Sequence, residues 1–225
     1  MKVSSQGTHV ARSVERALAL LDSVVSHGSI TLTEAARAVD VPTPTALRHL
    51  RALEVDGYVS RGTDGTYSAG PRFHRLALTA LDASPTARLA QIAGPVLDSL
   101  EGATEESAYL AVPEGEDHAV YVAIRESRRA VRHVSWLGAR IPRQGTAVGL
   151  ALSGEVSAGS AVHVAGAVEA DVVAIASPVT DRSGNAIAAV AVVGPEGRLR
   201  GKALDRATAA VIEAAADLGS VEELV

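Results

Sequence analysis

Ser13-Val14-Glu15-Arg16-Ala17-Leu18-Ala19-Leu20-Leu21-Asp22, then Val41-Pro42-Thr43-Pro44-Thr45-Ala46-Leu47-Arg48-His49-Leu50 and Gly57-Tyr58-Val59, decide the fold of the first third of this chain. Ser13 can cap a helix whose apolar residues fall at Val14, Ala17, Leu18, Leu21 and Val24 or Val25, the period of a half-buried helix. Gly28 fits its left-handed stop. Thr31-Leu32-Thr33-Glu34 is a capping-box pattern opening a second short helix through Val39. Asp40-Val41-Pro42 makes a turn, and Thr43 is expected to cap a third helix with Pro44 at its first position. There, Leu47, Leu50 and Leu53 are expected to face the core, leaving Thr45, Ala46, Arg48, His49 and Arg51 on the free face. Tyr58-Val59-Ser60 begins a strand, Arg61 to Thr66 form a hairpin tip with an Asp-Gly turn, and Tyr67 starts the return. Helix, helix, turn, helix and hairpin is the order of a winged helix-turn-helix, whose third helix enters the DNA major groove.

Outward from this stretch the chain changes character. Gly70-Pro71 breaks it, and residues 72–83 read as a helix with Phe73, Leu76, Ala77, Ala80 and Leu81 on one stripe. That helix is too short and apolar to stand alone, so it needs a partner such as its own copy in a second subunit. Ala83-Ser84-Pro85 marks a boundary. Beyond it come a helix at 88–101, strand-like runs at 107–112, 118–125 and 130–136, and a small-residue helix from Thr146 to Leu152. Strands at 172–179 and 186–193 follow, joined by a turn-rich hairpin, and an amphipathic helix at 202–218 closes the chain. The second part therefore reads as an antiparallel sheet with helices at its ends and on one face. The expected organisation is α+β: residues 1–70 a winged helix-turn-helix domain, 71–85 a linker and dimerisation helix, and 86–225 a sensor domain.

Composition agrees with this division. The net charge is −5. Residues 1–80 nevertheless carry nine Lys/Arg against seven Asp/Glu, and residues 81–225 carry twelve against nineteen. The acidic surplus thus belongs to the second part and does not oppose DNA contact by the first. There is no cysteine, which excludes disulfides and thiolate chemistry. No apolar run approaches the ~18 residues of a membrane span, so a cytoplasmic protein is expected. The histidines show no HExxH or paired ligand spacing, and neither a G-x-S-x-G elbow nor a phosphate loop is present. No metal, cofactor or catalytic site is expected.

The same residues closely resemble the IclR (isocitrate lyase regulator) family of bacterial transcription factors. The resemblance rests on Ser13 to Asp22, the Pro42–Leu50 segment with Thr45 and Arg48 in place, Gly57-Tyr58-Val59 and Tyr67-x-x-Gly70. In the second part it rests on Gly138-x-x-x-Pro142, Thr146-Ala147-x-Gly149, Ala174 to Gly184 and Gly194-Pro195. It implies a DNA-binding dimer or dimer of dimers with a GAF-like effector-binding domain for a small organic molecule. It also places Ala147, Val148, Ala174, Ala191 and Val193 at the pocket. One departure is plain: only nineteen residues separate Leu152 from Val172, where the family has a longer excursion.

Arginine's fork suits guanine edges and phosphate, and a helix N-terminus favours phosphate. The candidate DNA-binding residues are therefore Thr43, Thr45, Ala46, Arg48, His49, Arg51 and, on the wing, Arg61. For the effector, small apolar walls leave room for a flat ring, and N–H groups near Thr146 could meet a carboxylate. A mainly apolar, preferably aromatic organic acid is expected, with either His133 or Trp136 as the larger lining group. Expected partners are thus an operator duplex, this effector and a second copy of the chain, with no membrane. A protein-contact module fused to a ligand-binding or catalytic α+β domain is the alternative, and it would favour apolar residues where 43–52 carry arginine.

Overall fold

The structure is a computed structural model that describes residues 12–132 and 136–220. The chain divides into two compact units, one ending at Asp82 and one beginning at Ala83.

The first unit begins with α1 (Arg12–His27), α2 (Leu32–Ala38) and α3 (Thr43–Val55), followed by β1 (Val59–Arg61) and β2 (Tyr67–Ala69). The helix α4 (Pro71–Ala83) comes next. The capping box forms: the Glu34 N–H donates to Thr31 Oγ1 (3.3 Å) and the Thr31 N–H to Glu34 Oε2 (3.0 Å). The strands pair antiparallel with Ser60 opposite Ser68, and Ile30 forms an isolated antiparallel bridge to Tyr67. Leu20, Val24, Ile30, Ala35, Ala36, Ala46, Leu50, Val59 and Tyr67 make one buried core.

Three local expectations are corrected. α1 already includes Ser13, which lies in its first turn. Its buried residues are Leu20, Ser23 and Val24, while Val14 and Leu18 are 51% and 60% exposed. The helix thus has two apolar stripes, and the one facing inward is not the one marked by Val14 and Leu18. At α3 the cap is Pro42, in extended geometry, with Thr43 as the first helical residue and no side-chain cap. The Pro42 carbonyl accepts from the N–H of Thr45 (2.8 Å) and Ala46 (3.0 Å), so the Thr43 hydroxyl is not needed as a cap.

The second unit comprises α5 (Pro85–Thr104), β3 (Ser107–Glu114), β4 (His118–Arg125), β5 (Arg140–Pro142) and α6 (Ala147–Leu152). It continues with β6 (Val162–Ala165), β7 (Val172–Thr180), β8 (Ala186–Pro195) and α7 (Lys202–Gly219). The six strands form one antiparallel sheet in the order β5-β4-β3-β8-β7-β6. Strand alternation sorts its side chains onto two faces. Leu110, Ile175, Val190 and Val192 pack with Leu97 of α5 and Val211 of α7. Tyr109, Tyr121, Ala176, Ala189 and Ala191 pack with Val148 and Ala151 of α6. Helices therefore cover both faces, because alanines on the second face leave depth for a short helix. Partly buried Arg198, after β8, donates from its guanidinium to both oxygens of buried Glu106, ahead of β3, at 2.5 and 2.6 Å. The strand expected at 130–136 does not form at 130–132 or at Trp136, and residues 133–135 lie outside the described ones. Among the described residues no helix is long and apolar enough to cross a membrane.

Candidate nucleic-acid interface and ligand cavity

α3 offers one face to the core and one to solvent. Ala46 and Leu50 are fully buried and Leu53 packs against them. The core stripe is Ala46, His49, Leu50 and Leu53, the i, i+3, i+4, i+7 pattern. Strict three-residue spacing precesses about 60° per step on a helix, so Leu47 stands off this stripe. The consequence is a correction: Ala46 and His49 face inward and cannot meet a nucleic acid while the helix is folded. Burial, then the charges of Arg48 and Arg16, hold the His49 pKa below its ordinary value. Its Nε2 has no hydrogen-bond partner among the described residues.

On the outer face Thr43, Arg48 and Arg51 are exposed and Thr45 is half-buried. Neither arginine forms an ion pair among the described residues. At the hairpin, exposed Arg61 lies over the Tyr67 ring, 5.7 Å from its centroid. The turn beside it is fixed by Asp64, whose carboxylate accepts from the Thr66 N–H (3.0 Å) and hydroxyl (2.8 Å). Gly70 closes this motif against the end of α3. A Cβ there would sit 2.3 Å from the Gly57 carbonyl oxygen.

In the second unit a cavity of about 30 Å³ lies between α6, the sheet and the turn after β6. Its walls include Trp136, Ala147, Val148, Ala174 and Val193, so five of the seven expected ligand residues come together. Ala191 does not line it. It is fully buried beside Tyr109 and Ala176 in the sheet, and belongs to the packed floor. His133 lies outside the described residues.

α6 is held by its cap. Thr146 Oγ1 accepts from the Gly149 N–H (3.1 Å) and donates to the Pro142 carbonyl (2.8 Å). The aromatic side is a row: the Tyr109 and Tyr121 centroids are 4.6 Å apart, and Tyr121 stacks with Trp136 at 6.1 Å. Burial pushes both phenols well above the ordinary tyrosine pKa, so both stay un-ionised. Sequence reasoning missed Tyr121, Ile141, Val164, Val168, Glu169 and Val172, which also line the cavity. Tyr121 was legible from the alternation of β4; the turn residues carry no such signal.

Residues 13–62 match the IclR helix-turn-helix domain, and residues 83–161 and 156–220 match the family described as bacterial transcriptional regulator IclR C-terminal. The chain belongs to the IclR family. Among curated IclR-type relatives, it is 30% identical over 134 residues to the HTH-type transcriptional regulator KipR of Bacillus subtilis. That match covers 58% of this chain and 51% of KipR. It is 26% identical to the transcriptional repressor IclR of Escherichia coli, over 68% of this chain and 56% of the repressor. The chain thus spans about half the length of these relatives.

Solved IclR structures share the fold. An IclR homolog from Microbacterium hydrocarbonoxydans, in complex with 4-hydroxybenzoate, superposes with a TM-score of 0.74 at 23% identity. The match covers 92% of this chain and 98% of that one. A regulator from Alicyclobacillus acidocaldarius gives 0.71 at 22% identity, covering 94% and 99%.

Proposed function

We propose that this IclR-family chain is a homodimeric regulator that binds operator DNA through α3 and the wing, with affinity modulated by a small organic acid. The observation that carries the reading is the outer face of α3. Its inner stripe is committed to the core, yet Arg48 and Arg51 are exposed beside an uncapped helix start at Thr43. Fork donors can read guanine or phosphate, and the positive end of the helix dipole at Thr43 favours phosphate. Thr43, Thr45, Arg48, Arg51 and Arg61 are the DNA-binding set.

The second unit supplies the sensor. Apolar walls and the Tyr121–Trp136 row favour a flat ring, and the 4-hydroxybenzoate held by the Microbacterium homolog supports a mainly apolar aromatic acid. About 30 Å³ is room for little more than one water. A ring therefore requires the cavity walls to move apart.

The test is anisotropy on the DNA flanking the chain's own gene, at fixed salt. Arg48→Ala should weaken binding by about 1–3 kcal/mol with the fold intact. Leu50→Ala should instead lower the melting temperature, because it opens the core. Ala174→Phe should fill the cavity, abolishing the response to aromatic acids while DNA affinity stays near wild type. Equal DNA affinity for Arg48→Ala and wild type would sink the DNA assignment.

A further inference from the structure

Among the described residues that line the cavity beside α6, Tyr121 and Thr146 carry hydroxyls. The Thr146 hydroxyl is committed, donating to the Pro142 carbonyl (2.8 Å) and accepting from the Gly149 N–H (3.1 Å). The Tyr121 hydroxyl has no hydrogen-bond partner among the described residues, although the side chain is only 2% exposed. A phenol in that state opposes folding, because its O–H has left water without a replacement partner. Tyr67 holds a comparable hydroxyl, but within the closed core of the first unit; Tyr121 lines a cavity instead. Its ring is also held in place. It lies between Tyr109, at 4.6 Å between centroids, and Trp136, at 6.1 Å. Its backbone pairs with Ala111 of β3 on one side. On the other, the Gly138 N–H donates to its carbonyl (2.8 Å) and its own N–H donates to the Ala139 carbonyl (3.3 Å). The hydroxyl is therefore positioned before any ligand arrives, which lowers the cost of binding one.

We infer that the Tyr121 hydroxyl is reserved for the effector, donating a hydrogen bond to its carboxylate and so fixing which end of a ring acid lies against β4. This rests on the reading of the cavity as the effector site. A carboxylate only accepts, and a hydrogen bond to a charged acceptor is roughly twice as strong as one between neutral groups. None of the described lining residues is a cation, so an entering acid meets a neutral donor in place of a counter-charge. Burial keeps that donor protonated, its pKa standing above the ordinary tyrosine value. Exposed Glu169, the negative residue of the lining, contributes to the raised pKa of Tyr109 but not to that of Tyr121. An acid group at Tyr121 thus lies at the end of the row less affected by like charge. The ligand class is a compact ring acid in which the carboxylate, not a ring substituent, is the group recognised. Its ring then packs on the small apolar walls of Ala147, Val148 and Ala174.

The test compares the full wild-type chain with Tyr121→Phe, which keeps the ring and removes the oxygen alone. Dissociation constants for benzoate, 4-hydroxybenzoate and phenol are measured by calorimetry, together with the melting temperature of each ligand-free protein. Tyr121→Phe should weaken benzoate and 4-hydroxybenzoate by the same factor, about tenfold or more, and leave phenol unaffected. Without ligand it should melt at the wild-type temperature or above it, because the group removed has no partner to lose. As a control, Ala174→Phe fills the cavity and should bind neither acid. A loss confined to 4-hydroxybenzoate and phenol would overturn the carboxylate assignment, since the ring hydroxyl would then be the group held. Unchanged affinity for both acids, or a lowered ligand-free melting temperature, would overturn the role of Tyr121 while the cavity reading stands. If neither acid binds the wild type, or both bind Ala174→Phe as tightly as wild type, the cavity reading falls as well.

Discussion

His49 carries its imidazole on the inner side of α3, with its Nε2 buried and without a partner among the described residues. A histidine beside Arg48 and Arg51 reads from the sequence as part of a polar outer face. Only the phase of the helix, set by Ala46 and Leu50 docking on α1 and α2, turns it inward. Burial, then the nearby Arg48 and Arg16 charges, favour neutral imidazole over imidazolium at that place. The folded pKa therefore lies below the ordinary 6.5, and protonation favours the unfolded chain. The associated stability is fully present above 6.5 and is lost as pH falls through the folded value. The transition of the first unit should move to lower temperature between about pH 7.5 and pH 5.5, and His49→Gln should flatten that dependence. An identical pH slope in both proteins would remove His49 as its cause.

At the scale of elements, legibility followed the strength of the local signal. The capping box of α2, the Asp-Gly hairpin, β7, β8 and α7 were all readable, since caps, turn residues and alternation are local. α1 misled because Ala, Leu and Val occupy most of its circumference, so two stripes satisfy the helical period and only packing chooses between them. β5 and β6, of three and four residues, are too short to show a period. For α6 the pattern identified the helix, but not the closeness of its packing. A Cβ at Gly149 would lie 1.7 Å from the Arg143 carbonyl oxygen, and that backbone cannot yield easily because Arg143 Nη2 is tied to the Leu152 carbonyl (2.8 Å). Gly149→Ala should cost the second unit about 1–3 kcal/mol or more and abolish the response to ring acids. DNA binding by the first unit should survive. A Gly149→Ala protein with wild-type melting and ligand response would show that the close approach is not needed.

For the whole molecule, the decisive quantity is apolar surface that one copy leaves uncovered. In the first unit Val14 and Leu18 mark the outer stripe of α1, while on α4 Leu76, Leu78 and Leu81 are 47%, 69% and 58% exposed. Each large apolar side chain removed from water contributes roughly 1.5–3 kcal/mol at full burial, so covering these residues could offset the cost of association. In the proposed homodimer a second copy would supply matching stripes, because a two-fold contact places the same patch on both sides. The first unit is only modestly basic, and two recognition helices on one duplex raise affinity in a way that its net charge cannot. The chain should therefore sediment as a dimer or larger at micromolar concentration. It should protect two half-sites spaced by about one helical turn, or a multiple of it. Leu18→Glu combined with Leu76→Glu should shift it toward monomer and weaken operator binding far more than binding to a single half-site. A wild-type protein that sediments as a monomer, with the double variant binding the full operator equally well, would contradict this.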